Sequence, residues 1–259
     1  MGAIRPGGGG GSSASPADII DEGMTAVLTG EARGTTVVSD GGTGIELQNV
    51  AASAVIVDPL TGAGWTETEA ASTSRTWTSG EKVTLTANSG ATGRVEIQQP
   101  APIPSTAQRW SYLARVDVTA GDITSSTGYV ALVALVDTNN FVYVRLSASD
   151  ITVVYAIAGS ATTSTHTAPT DVQRTGGQLW LCLSGSADGR WSARWGVGSA
   201  GAVPTTWTTS TVLNVVGLSA AVPATAGPEL WVGSVGGAPL AATHTVDVLA
   251  FRSVWEGSL

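Results

Sequence analysis

The chain has 259 residues, and its 12 basic and 20 acidic side chains give a formal net charge of -8. That acidity leaves no basic footprint for a nucleic acid, and a single cysteine, Cys182, excludes a disulfide framework or a cysteine metal cluster. Charged residues are only 12% of the chain, about half the roughly 25% of ordinary globular domains. Gly, Thr, Ser, Ala and Val take their place, which points to a β-rich structural or binding protein of one large or two small domains.

The chain opens with five glycines at 7–11 and a Ser-Ser-Ala-Ser run, where a signal peptide would carry an apolar stretch. The longest apolar run, 129–136, falls far short of the ~20 residues that span a bilayer. The sequence therefore predicts a soluble product made in a cytoplasm, not exported by a classical route and without membrane insertion. Residues 1–16 read as a Gly/Ser linker. Ser15 as N-cap, Pro16 in the first turn and the acids Asp18, Asp21 and Glu22 predict one short helical turn before Gly23. Short Val/Thr/Ile runs then predict strands at 25–28, 35–38, 45–47 and 54–57, each too short to hold a core of its own. We read 1–64 as an arm and 65–259 as the main domain.

After Trp65 the strand signals strengthen and recur every 8–14 residues, as in sandwiches and barrels. In 108–118, Trp110, Tyr112, Ala114, Val116 and Val118 alternate with Arg109, Ser111, Arg115 and Asp117, which predicts a half-buried antiparallel strand. The run 129–136 is apolar on both faces and should lie centrally. Asp137-Thr-Asn-Asn140 predicts a tight turn, with 141–146 returning as the hairpin partner. A strand at 150–158 precedes a Thr/Ser loop carrying His166. Strands at 178–184 and 191–197 flank the Asp188-Gly189 turn signal, and strands at 229–235 and 244–254 complete the set. No segment has a helical period.

The order of these pieces resembles the concanavalin A-like (laminin-G-like) lectin and glucanase jelly rolls. The resemblance rests on Asp137-Thr-Asn-Asn-Phe-Val-Tyr-Val-Arg-Leu, Leu179-Trp-Leu-Cys-Leu and the Asp188-Gly-Arg-Trp hairpin, followed by Leu230-Trp-Val-Gly-Ser-Val-Gly-Gly and Val246-Asp-Val. It covers about residues 105–255 and implies an all-β antiparallel jelly-roll sandwich of two stacked sheets, one of them concave. The arm, linker and Thr/Ala/Gly-rich composition also resemble phage virion proteins: tail fibres, receptor-binding proteins and capsid decoration proteins. That second resemblance implies a virion location. It also implies attachment to other virion proteins through residues 1–64, and homo-oligomers that bury the arm strands' apolar faces.

Glucanases of the resembled fold carry an E-x-D-x-x-E strand, and none occurs. Glu67-Thr-Glu69 is the nearest carboxylate pair and reads as a solvated edge. Gly196-Val-Gly-Ser-Ala-Gly201 spells a dinucleotide fingerprint but precedes no helix, so it reads as a loop. His166 and His244 stand alone, and Cys182, between two leucines, reads as packing. The chain is therefore read as non-enzymatic. The resemblance implies calcium as the one cofactor to test, with Asp137, Asn139 and Asn140 offering hard oxygens; an Asx turn explains the same residues. Exposed tryptophans are the candidates for stacking on a host-surface glycan. By strand alternation Trp180 and Trp231 face outward, and Trp77 and Trp207 lie in Thr-rich loops. The expected function is a virion protein displaying a lectin-like sandwich for host-surface attachment. A decoration or head-fibre protein without glycan binding, or a free lectin-like module, are the alternatives.

Overall fold

A computed structural model describes residues 36–39, 45–48, 53–99, 103, 109–118, 127–170, 176–186, 190–199, 202–209, 213–214 and 227–256. The helical turn expected before Gly23, the strand at 25–28 and the Asp188-Gly189 turn lie outside these residues. The architecture is all-β. The strands are β1 (Thr36–Ser39), β2 (Ile45–Gln48), β3 (Ser53–Asp58), β4 (Thr66–Glu69), β5 (Thr73–Thr78) and β6 (Lys82–Ala87). Next come β7 (Arg94–Gln98), β8 (Arg109–Val118), β9 (Gly128–Asp137), β10 (Asn140–Leu146), β11 (Asp150–Ile157) and β12 (Ser160–Thr167). The last are β13 (Leu179–Ser186), β14 (Arg190–Val197), β15 (Thr208–Thr209), β16 (Leu213–Asn214), β17 (Pro228–Ser234) and β18 (His244–Glu256).

Two antiparallel sheets form the sandwich. One has seven strands in the order β12-β11-β10-β9-β17-β7-β4. The other has nine, built on the path β15-β14-β13-β8-β18-β6-β5, with β16 beside β14 and β3 beside β18. The inner faces follow directly from the alternation of the sequence. Trp110, Tyr112, Ala114, Val116 and Val118 of β8 all point into the core, as do Val130, Leu132 and Ala134 of β9 and Leu230 and Val232 of β17. Trp191 and Trp195 of β14 join them, with Trp110 and Trp191 edge to face at 5.0 Å. The central position expected for 129–136 holds, because β9 has β10 on one side and β17 on the other.

Three segments differ from their sequence reading. The Thr/Ser stretch around His166 is not a loop but β12, paired along its length with β11. Its exposed threonines suit an edge strand, and partner pairing overrides the weak local pattern. Trp77, expected in a loop, lies on β5, which pairs with β6. The segment 53–58, read with the arm, pairs as β3 with residues Phe251 to Glu256 of β18, while β6 takes the first half of the same edge. Asp58 then ties this strand to both sheets. Its Oδ1 accepts from the Leu60 amide at 2.7 Å, and its Oδ2 accepts from Trp65 Nε1 at 2.9 Å and from Gln99 Nε2 at 2.6 Å. β1 and β2 pair with each other alone among the described residues.

Candidate functional site

The outward faces of the two sheets differ in what covers them. On the nine-stranded sheet the segment after β14 folds back across the strands. Val203 and Trp207 pack there on Trp180, Leu113 and Cys182, with Ala250 and Val254 completing a second small core. Trp180 thus points away from the main core, as its alternation required, yet is 0% exposed. A glycan cannot stack on it, which corrects the sequence expectation. Trp207 is half-buried as part of this lid, 5.4 Å from the Arg194 guanidinium. Burial raises the Cys182 thiol pKa, and Arg194 Nη2 donates to its sulfur at 3.4 Å. Packing is its role.

The outward face of the seven-stranded sheet carries a cavity of about 530 Å³, within the size range of small-ligand sites. Register places its side chains in rows across the strands. Glu96 on β7 faces Trp231 on β17, which faces Ala131 on β9, then Arg145 on β10 and Thr152 on β11. In the next row Gln98 faces Glu229, followed by Val133, Tyr143 and Val154. Tyr129, Ala131 and Val133 form a buried apolar floor on which Leu135, Tyr143 and Trp231 rest. The methyl group of Ala131 leaves a dip between Trp231 and Arg145, whose backbones stand two strand spacings apart, about 9–10 Å.

Trp231 is fixed from two sides. Its Nε1 donates to Glu229 Oε2 at 2.5 Å, and the Arg94 guanidinium lies over the indole at 3.7 Å from the ring centre. Arg94 in turn pairs with Glu96. Glu229 is only 6% exposed, and desolvation raises its carboxyl pKa against the lowering effect of the Trp231 hydrogen bond, with the nearby Glu96 charge adding to the rise. Burial likewise raises the Tyr129 and Tyr143 phenols. Tyr143 stacks parallel to Phe141 at 5.8 Å and sits 6.1 Å from Trp231. The face therefore offers aromatic surface, two guanidiniums and two carboxylates around an apolar floor.

Of the sequence candidates, only Trp231 belongs to this cavity. Trp77 packs at the sandwich edge, 5.7 Å from Trp65, and donates from Nε1 to Glu67 at 2.5 Å. Glu67 and Glu69 both hold Arg75 of β5, a bridge between sheets whose hydrogen bond lowers the Glu67 pKa. The pair stitches an edge, though Glu67 is half-buried between Arg75 and Trp77 where a solvated carboxylate was expected. Asp137, Asn139 and Asn140 close the β9–β10 turn. Asp137 Oδ1 accepts from the Asn139 amide at 2.7 Å, and Asn140 Nδ2 donates to both Asp137 oxygens. Asn140 Oδ1 accepts from the Ala158 amide at 2.9 Å, tying this turn to the next hairpin. The Asx-turn alternative accounts for these atoms, and a cation would have to displace those bonds. Among the described residues no group of three or more His, Cys, Asp and Glu side chains is placed to hold a metal. The sequence reading missed Arg94, Tyr129, Tyr143, Arg145 and Glu229. Alternation marks them as outward, but only strand order brings β7, β17, β9 and β10 side by side.

No protein-family model matches the chain, and no curated protein matches it. Solved structures do. The exoplasmic/lumenal domain of VIP36 in its Ca2+/Man-bound form superposes with a TM-score of 0.54 at 14% identity, covering 79% of this chain and 90% of that one. The CBM2 module of the evolved Dit of Lactobacillus casei BL23 phage J-1 gives 0.50 at 13%, covering 76% and 92%. For the Bacillus licheniformis GH43 protein BlXynB mutant the values are 0.48 and 14%, covering 67% of this chain and only 33% of that one. The fold is that of a lectin-like β-sandwich.

Proposed function

We propose that this chain is a non-catalytic glycan-binding virion protein, whose sandwich attaches to a host-surface carbohydrate through the outward face of its seven-stranded sheet. The observation that carries the reading is Trp231, clamped by Arg94 and Glu229 above an apolar floor in a cavity of about 530 Å³. An indole held rigid loses little entropy on stacking against a sugar, and flanking charged groups can take its hydroxyls. The likeness of the fold to a mannose-bound lumenal domain and to a carbohydrate-binding module of a phage Dit supports the same class of work. In this reading the N-terminal segment joins the sandwich to the particle, as in a tail fibre or receptor-binding protein. The β1–β2 hairpin, too small to be stable alone, finds its support in other virion chains or other copies.

The test is calorimetric titration of array-selected oligosaccharides into the wild type and the Trp231→Ala variant. Loss of an interface anchor costs about 2 kcal/mol or more, so the variant should bind at least roughly 30-fold more weakly with unchanged folding. Equal affinity in the two proteins would remove the site from this face. Reducing ends are assayed in the same samples, because Glu96 and Glu229 share the cavity; their release would replace binding with glycoside hydrolysis.

A further inference from the structure

We infer that the Arg145 guanidinium makes this face selective for acidic glycans, polymers whose sugars carry a carboxylate. The inference rests on the glycan-binding reading above and adds its ligand class. Two arginines line the cavity, and their surroundings differ. Arg94 is occupied: it pairs with Glu96 and covers Trp231. Arg145 has no carboxylate. Its guanidinium carbon stands 5.8 Å from both the Tyr129 and Tyr143 rings. Its Nε is buried without a hydrogen-bond partner, and no ion pair neutralises it among the described residues. Its cross-strand neighbours on this face are Ala131 and Thr152, neither of them charged.

An arginine on the wall of a cavity, with no carboxylate of the chain facing it among the described residues, leaves its charge for a ligand to neutralise. The guanidinium presents a planar fork of donors that matches a carboxylate with two parallel bonds, and its charge is fixed at any physiological pH. Chain charge does not oppose such a ligand locally. The Glu96 charge is already paired with Arg94, and Glu229 is buried beside Trp231 with its Oε2 engaged by the indole. A sugar ring resting over Ala131 would set one face toward Trp231 and its carboxylate toward Arg145, a span of about two strand spacings.

The experiment uses the full chain on an array of polygalacturonate, alginate and hyaluronan fragments, each printed beside its carboxyl-reduced, neutral counterpart, at low ionic strength where charge contacts are least screened. The wild type should bind at least one acidic form tenfold or more tighter than its reduced partner. Arg145→Gln should lose that preference while keeping the weaker neutral binding, and Trp231→Ala should lose both. Arg145→Gln also gives up the guanidinium's contacts with the Tyr129 and Tyr143 rings, so the retained binding to the reduced, neutral forms is what shows that its face is still folded. Equal binding of acidic and reduced forms, or a preference that survives in Arg145→Gln, overturns the acidic selectivity and leaves the glycan-binding face standing. Absence of binding to every acidic and neutral fragment overturns both.

Discussion

At the scale of single residues, the cavity carries the marks of a site maintained against stability. Glu229 is buried, and its carboxyl pKa is raised by desolvation. A carboxyl with a raised folded-state value contributes its full stability below the unfolded value near 4.3 and loses it as pH rises through the folded value. Glu229→Gln should therefore melt higher than the wild type at pH 7, with the gap closing toward pH 4, in paired thermal melts. His244 has the opposite sign. It is 0% exposed with both ring nitrogens unpartnered, and burial lowers its pKa. Its contribution is complete above about pH 6.5 and is lost as pH falls through the lowered value. Gly128 opposite leaves no room for a Cβ, which would stand 1.8 Å from His244 Nε2. Gly128→Ala should then cost about 1–3 kcal/mol by denaturant titration, the range for overpacked cores. Asp58→Ala strands the Trp65 and Gln99 donors, and a cost of about 1.5–3 kcal/mol is expected in the same assay.

At the scale of elements, alternation made the strands legible wherever one face is buried. The period of two in 108–118 put Trp110, Tyr112, Ala114, Val116 and Val118 of β8 on the inner face, and the Asp137-to-Asn140 turn formed where its residue types required. Two kinds of information were not local. The β12 strand has no apolar stripe, and its extended form comes from pairing with β11. The burial of Trp180 comes from a segment more than twenty residues later in sequence, Val203 to Trp207, closing over it. Trp231 was legible as outward because Leu230 and Val232 are its inward neighbours. Arg145 and Tyr143 alternate outward as well, but their place in the cavity was not legible, because nothing in their own strand reveals that β9 separates β10 from β17. β3 has a testable consequence. A chain starting at residue 53 keeps the pairing along the second half of β18, whereas one starting at residue 59 exposes that edge and removes Asp58. The shorter chain should melt lower, as read by calorimetry.

At the scale of the whole molecule, the two outward faces divide the labour. One has the patch around Trp180 covered by its own following segment, while the other leaves aromatic and charged side chains around a cavity. Residues 1–52 precede the first strand of the sandwich, and in the proposed reading they carry the attachment role. Light scattering on the full chain and on a chain starting at residue 53 separates assembly from folding. The full chain should form oligomers and the shorter one a folded monomer. The central claim, that a glycan rests on the seven-stranded sheet, is tested most directly by a crystal structure of the full chain with an array-selected oligosaccharide bound. Density for a sugar between Trp231 and Arg145 is the expected result. A sugar seated elsewhere, on the Trp207 lid or at the β9–β10 turn, would contradict it.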